Sequence, residues 1–326
     1  MKPKILVTRE VFDETLAYLG EHCEVESNQA DVPLAAETLA QHLNDKQGVV
    51  CSLTDRIDDP LLTRCPQLKV VANIAVGYNN IDLAACTARG VMATNTPGVL
   101  DDSTADLAWT LMLATARRLT EAEAYIRAGQ WKGWHLKQLL GVDVHHATLG
   151  IIGMGRIGQV IARRAAGFEM RVIYHNRTRL GAEIERRLNA TYVSKDELLA
   201  QADFVVLQMP YSPQTHHLIG EAELKKMKPS AILINSTRGG VVDDAALIRA
   251  LRNGTLRAAG LDVFEGEPKL NPGFLELKNV VLAPHVGSST EATRRATAMT
   301  AAKNAVAALT GGTPPNLLNP ETIKKA

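Results

Sequence analysis

Arg238, Glu267 and His285 are of types that could together protonate a carbonyl oxygen. Each follows a short apolar run and precedes a turn: Ile234-Asn235-Ser236-Thr237-Arg238-Gly239-Gly240, Asp262-Val263-Phe264-Glu265-Gly266-Glu267-Pro268, and Ala283-Pro284-His285-Val286-Gly287-Ser288. A planar guanidinium grips a carboxylate through two parallel hydrogen bonds and polarises a neighbouring carbonyl. An imidazole is the usual proton donor near neutral pH, and a carboxylate beside it favours its charged form and fixes its orientation. Taken singly each residue is unremarkable, since most Arg and Glu are solvated and most His structural. Their joint position after strand-like segments suggests hydride reduction of a 2-oxo acid, because ligands of open α/β sheets bind beyond the strands' carboxyl ends.

A hydride needs a carrier, and the chain supplies a binding turn for one. Gly153-Met154-Gly155-Arg156-Ile157-Gly158 closes an apolar run and opens an amphipathic helical pattern. Gly153 permits the tight turn, Gly155 lets backbone approach a pyrophosphate, and Gly158 allows close helix–strand packing. The helix start then offers free N–H groups to the anion. A second strand ends in His175-Asn176-Arg177-Thr178-Arg179, where an NAD site carries Asp or Glu for the ribose hydroxyls. With no carboxylate there to repel a 2′-phosphate, Arg177 and Arg179 can pair with one, and Asn176 and Thr178 add donors. The expectation is NADPH in preference, with NADH still usable.

These residues must be held by a frame, and the pattern of the chain describes one. Apolar, β-branched runs at 4–8, 48–52, 69–73, 91–94, 148–153, 171–175, 204–209, 231–235, 258–263 and 279–283 alternate with longer helical stretches. Strands apolar on both faces with helices between them read as parallel sheets covered by helices. Ser194 with Glu197 fits a capping box, and Asn253-Gly254 ends the helix begun near Asp243. Two long helices, 103–118 and 290–309, bracket the central strands. The fold expected is α/β, with two doubly wound parallel-sheet domains of Rossmann-like and flavodoxin-like kind. A cofactor domain (103–288) is inserted into a discontinuous substrate domain (1–102 and 289–326), with the long helices as hinge. Residues 129–146, with two Trp and three His, look least like helix or strand and could serve as an interface arm.

Bulk properties narrow the partners. The 326 residues suffice for two domains, and 46% hydrophobic with 22% charged residues is the balance of a globular protein. A formal net charge of +1 gives no general attraction to nucleic acid or to an anionic membrane. Cys23, Cys51, Cys65 and Cys86 form no CxxC pair, so buried free thiols are expected, with neither disulfides nor a metal site. The opening apolar run is too short for a signal peptide or membrane span, which leaves a reducing, cytoplasmic location as the expectation.

The order and spacing of the Arg, Glu and His motifs resemble the D-isomer-specific 2-hydroxyacid dehydrogenase family. The likeness extends to the glycine turn, to Ala258-Ala259-Gly260-Leu261-Asp262-Val263-Phe264 and to Val76-Gly77-Tyr78-Asn79-Asn80-Ile81-Asp82. It covers essentially the whole chain. Asp143-Val144-His145-His146-Ala147-Thr148-Leu149-Gly150 is most similar to the glyoxylate/hydroxypyruvate reductases, also described as 2-ketogluconate reductases.

The resemblance implies that Arg238 binds substrate carboxylate and carbonyl, that His285 donates the proton and that Glu267 supports it. The Val76 and Gly77 N–H groups would grip the carboxylate from the substrate domain. Thr237, Asp262 and Gly287 would lie near the nicotinamide, Arg156 and Ile157 at the pyrophosphate, and Pro210 and Thr215 along the adenine–ribose side. It also implies a homodimer joined through the cofactor domain by an arm at about 120–147, Trp134 of Trp131-Lys132-Gly133-Trp134 reaching the neighbouring active site. Asn176 and Asn79 stand where relatives commonly have Asp. The first favours NADPH; the second could alter the substrate loop. Two other readings stay open: a different D-2-hydroxyacid substrate, such as phosphoglycerate, or a dinucleotide-sensing scaffold without catalysis.

Overall fold

The computed structural model describes residues 2–323. The chain divides into two compact units, one holding the sequence up to Leu100 and again from Ser289 onward, the other Asp101–Ser288. The division falls two residues before the sequence-based boundary at 102, because the long helix Asp101–Ala116 begins there and packs into the core of the second unit.

The first unit is a five-stranded parallel sheet of β1 (Lys4–Val7), β2 (Glu24–Ser27), β3 (Gly48–Cys51), β4 (Val70–Asn73) and β5 (Met92–Thr94), in the order β2-β1-β3-β4-β5. This is the flavodoxin-like winding. Two of the three interior strands, Gly-Val-Val-Cys and Val-Val-Ala-Asn, are buried at every position. The helix Glu291–Leu309 covers one face with Ala301, Ala302, Ala305 and Ala308, whose small side chains let it lie close to β3, β4 and β5.

The second unit is a seven-stranded parallel sheet: β6 (Thr148–Ile152), β7 (Arg171–His175), β8 (Ala190–Tyr192), β9 (Phe204–Leu207), β10 (Ile232–Asn235), β11 (Ala258–Leu261) and β12 (Val280–Leu282). Their order, β12-β11-β10-β9-β6-β7-β8, reverses direction between β6 and β9 and so creates a switch-point crevice beyond β6. The helix Asp101–Ala116 lies against β10 and β11. It fits because β11 carries Gly260, where a Cβ would stand 2.9 Å from Thr115 Oγ1 and 3.1 Å from Leu111 Cβ. Ser194 and Glu197 form the expected capping box, and Gly254 ends its helix in the left-handed region at φ 76°.

Two strands went unread in the sequence, β2 and β8, and both are sheet edges. β2 reads Glu-Val-Glu-Ser and is exposed or half-buried throughout, while β8 is three residues long. Edge strands need no continuous apolar run, so the pattern that reveals interior strands misses them. Residues 129–146 hold neither helix nor strand. Trp131, Trp134, Leu136 and Leu140 are exposed there, Trp134 to 78%. Among the described residues no helix is long and apolar enough to cross a membrane.

Candidate active site and dinucleotide cradle

The glycine turn leaves β6 at the switch point. Gly153 adopts φ 101°, and a Cβ on it would stand 2.3 Å from the Gln208 carbonyl oxygen, so only glycine fits. Gly158 faces Gly153 O so closely that a Cβ would come within 2.4 Å of it. Gly155, by contrast, has nothing within 4 Å of a Cβ position. It caps the helix Arg156–Ala165 without any side-chain hydrogen bond to the first turn. Open space in front of uncapped N–H groups fits a bound pyrophosphate. Arg156 is exposed at this end and Ile157 half-buried.

At the end of β7, Asn176 Oδ1 accepts the Met154 N–H at 2.6 Å, which fastens the strand end to the glycine turn. Arg177 and Thr178 are exposed beside it. Arg179, which the sequence also offered as a phosphate partner, is ion-paired in this structure. Its Nε and Nη2 donate to both oxygens of Glu185 at 2.8 Å, and Tyr174 Oη donates to the same carboxylate at 2.7 Å. The Arg179 and Tyr174 hydrogen bonds hold the Glu185 carboxyl at about 2, well below the usual range. Farther along, Thr215 Oγ1 donates to Pro210 O at 2.9 Å and accepts the Ser212 N–H at 2.7 Å, which shapes the loop after β9.

The three chemical residues come from the ends of adjacent strands: Arg238 after β10, Glu267 after β11 and His285 after β12. Gly239 permits the close approach of the first two loops, since a Cβ there would meet Phe264 O at 1.8 Å. His285 Nδ1 and Glu267 Oε2 are 2.7 Å apart, and Glu267 Oε1 accepts the Phe264 N–H at 2.8 Å. Burial pushes the Glu267 carboxyl up. The hydrogen bonds from His285 and Phe264, with the charges of His285 and Arg238, outweigh it and leave the group below its ordinary value. Arg238 is half-buried, with Nη1 donating to Thr237 O at 2.6 Å. Burial draws its guanidinium below the usual range, against the opposing charge of Glu267. A desolvated cation of this kind gains strongly from an incoming carboxylate.

His285 has φ 54°, a left-handed conformation that costs a residue with a Cβ about 1–3 kcal/mol. Asp262 holds it there. Its carbonyl accepts the His285 N–H at 2.8 Å, while Oδ1 and Oδ2 accept the Val286 and Gly287 N–H groups at 2.7 and 2.9 Å. Buried to 1% exposure, the Asp262 carboxyl is pushed above its usual value by desolvation. Its carboxylate thus braces the His285 loop, a role the sequence did not disclose. Asn235 was also missed: its Oδ1 accepts the N–H and Oγ1 of Thr237 and its Nδ2 donates to Arg238 O, shaping the turn that carries the arginine. Ser103 Oγ donates to Gly287 O at 3.1 Å from the long helix.

In the first unit, Val76 and Gly77 follow β4. Their carbonyls accept the side-chain amides of Asn95 and Asn73, each at 2.8 Å, and Asn304 in turn holds Asn95 O at 3.0 Å. The loop backbone is therefore fixed from the carbonyl side.

The four cysteines are free and buried. Desolvation pushes the Cys86 thiol up to about 12 and Cys51 well above its usual value, so neither is a ready nucleophile.

Comparison with known proteins agrees with this geometry. Residues 109–287 match the family model described as D-isomer specific 2-hydroxyacid dehydrogenase, NAD binding domain. A glyoxylate reductase of Thermococcus gammatolerans is 49% identical over 99% of this chain and 98% of its own. A glyoxylate reductase crystal structure from Paecilomyes thermophila superposes with a TM-score of 0.88 at 34% identity, covering 97% of this chain and 98% of that one. An NADPH-dependent glyoxylate/hydroxypyruvate reductase from Sinorhizobium meliloti, solved with NADP and malonate, gives a TM-score of 0.88 at 34% identity over 99% and 98%. With its two parallel-sheet units, its glycine cradle and its strand-end Arg, Glu and His, the chain belongs to the D-isomer-specific 2-hydroxyacid dehydrogenases, NAD(P)-dependent oxidoreductases.

Proposed function

We propose that the protein reduces small 2-oxo acids to D-2-hydroxy acids, glyoxylate and hydroxypyruvate first and 2-ketogluconate among the larger ones, with NADPH preferred over NADH. The observation that carries this reading is the 2.7 Å pairing of His285 with the ionised Glu267, with the Arg238 charge acting on the same carboxylate. Arg238 binds the substrate carboxylate and polarises its carbonyl. Val76 and Gly77, in the first unit, are proposed as further substrate-binding positions through their backbone N–H groups. The reduced nicotinamide supplies the hydride when bound. Protonated His285 delivers its proton to the carbonyl oxygen, and Glu267 holds the imidazole in line and stabilises its charge. Thr237, Asp262 and Gly287 line the nicotinamide side, with Asp262 acting through the loop it braces. A scaffold without catalysis has no use for a proton donor held in a strained backbone conformation, which favours the enzyme.

The NADPH preference rests on Asn176 in place of a carboxylate and on exposed Arg177, with Glu185 already neutralised by Arg179. One charge-assisted contact to the 2′-phosphate is worth about 1.5–3 kcal/mol. Arg177→Leu should therefore lower kcat/KM for NADPH by roughly 10- to 100-fold and leave NADH nearly untouched. The measurement is a kcat/KM panel of glyoxylate, hydroxypyruvate, pyruvate and 2-ketogluconate with both cofactors, on wild type and variant. Equal losses with both cofactors would remove the phosphate assignment, and no turnover of any 2-oxo acid would remove the enzyme.

The exposed arm supports a homodimer. Trp131, Trp134, Leu136 and Leu140 expose large apolar side chains from one short segment, and a second copy is their proposed cover. Leu136→Arg is expected to shift the sedimentation coefficient toward that of a monomer. A wild type already monomeric at micromolar concentration would refute the assembly. Four buried free thiols suit the reducing cytoplasm, the proposed location.

A further inference from the structure

The second unit carries a cluster of side chains that the reduction does not use. His216, His217 and Glu265 each offer one ligand atom, and the three atoms lie within 4.8 Å of one another. His217 Nε2 is 2.8 Å from Glu265 Oε1. The two imidazoles stack with centroids 3.9 Å apart. Neighbours in sequence and stacked in space, each brings one ring nitrogen into the cluster, while Glu265 arrives from a loop 48 residues away.

The backbone around the cluster is fixed on each side. The His217 N–H donates to Gly240 O at 2.7 Å, and His217 is held at φ 49°. The Glu265 N–H donates to Asp244 Oδ2 at 3.0 Å. Tyr211 Oη lies 3.3 Å from His216 Nδ1, an outer contact that orients this ring and directs its other nitrogen away from the tyrosine. Gly240, at φ 77°, lets the Tyr211 ring pack against the backbone, since a Cβ there would stand 2.9 Å from Tyr211 Cε2.

We propose that His216, His217 and Glu265 form a binding site for a zinc ion, separate from the reducing machinery. Two imidazoles and one carboxylate are a ligand set that zinc takes with a fourth position left to water. Magnesium and calcium prefer oxygen donors throughout, so the two nitrogens select a later transition ion. Ligand atoms around tetrahedral zinc stand about 3.4 Å apart given Zn–N and Zn–O lengths near 2.0–2.1 Å. The His217–Glu265 pair is already inside that span, and the exposed His216 side chain need only turn toward it. The ion takes the place of the His217–Glu265 hydrogen bond. In doing so it ties the loop that follows Arg238, through Gly240 O, to the loop that leads to Glu267. This inference does not depend on the choice between NADPH and NADH or on the substrate.

The test uses the full-length protein and zinc alone, in competition with a chromophoric chelator. Wild type should hold one zinc per chain. His216→Ala and Glu265→Gln should each weaken binding by at least the roughly 10- to 100-fold that even outer partners of a metal are worth. Cobalt substitution gives a second readout, since a four-coordinate site produces intense visible bands, expected in wild type and absent in His216→Ala. His216→Ala should keep its metal-free turnover of glyoxylate, which shows that the variant is folded. Equal zinc retention by wild type and both variants, or none by wild type, would overturn the site.

Discussion

Replacing His285 by glutamine lowers kcat for carbonyl reduction by roughly 10²–10⁴-fold, the usual weight of a positioned general acid. Glutamine preserves a hydrogen-bonding side chain of similar reach but has no proton to give. The KM for the dinucleotide should change little, because the glycine cradle and the β7 end lie elsewhere in the sheet order. Stopped-flow single turnovers following dinucleotide absorbance separate a slower chemical step from slower release. Near-normal turnover would take His285 out of the reaction.

The same pairing sets the direction of the pH dependence. Against the upward push of burial, the folded-state value of the Glu267 carboxyl is depressed by its hydrogen bonds from His285 and Phe264 and by the charges of His285 and Arg238, so it stays ionised to lower pH. For stability the sign follows. A carboxyl depressed in the folded state contributes stability that is fully present above its unfolded value, about 4.3, and is lost as pH falls through the folded value. Wild type should therefore lose thermal stability more steeply than Glu267→Gln below about pH 4.

What could be read from the sequence, and what could not, divides along physical lines. Interior strands such as β3 and β9 announce themselves because both faces are buried and every position is apolar. β2 and β8 do not, because an edge needs apolar residues on fewer positions. Arg238, Glu267 and His285 were legible because each stands where a strand gives way to a turn, and turns at the carboxyl ends of a parallel sheet converge. Arg179 illustrates the limit. Its basic charge beside Arg177 reads as a phosphate ligand, but Glu185 lies one helical turn into the next helix, and only folding shows that it captures the guanidinium. Asp262 was placed near the nicotinamide by likeness alone. That both its oxygens are spent on the N–H groups of Val286 and Gly287 is a property of three-dimensional contact between two strand ends. The same holds for His216, His217 and Glu265, whose third member is too distant in sequence for any ligand spacing to suggest a cluster.

Removing the Arg238 fork is expected to cost roughly 10²–10³-fold in kcat/KM for glyoxylate, comparable to the loss of one oxyanion-stabilising donor. Arg238→Gln should raise KM and lower kcat together, because the guanidinium meets the carboxylate in the ground state and the developing oxyanion only in the transition state. Arg238→Lys tests geometry against charge. Lysine restores the cation but offers a point charge in place of two parallel N–H groups, so it should recover part of kcat and little of KM. The carboxylate's share is isolated by an aldehyde of similar size without the acid group. Wild type should favour glyoxylate over the aldehyde strongly, whereas in Arg238→Gln the two should converge, because the interaction that separates them is gone. Added guanidinium ion should restore turnover of glyoxylate by the glutamine variant in proportion to its concentration. A variant that kept the full preference for the 2-oxo acid would show that another group carries the carboxylate, and the burial that makes Arg238 an avid partner would then need a different explanation.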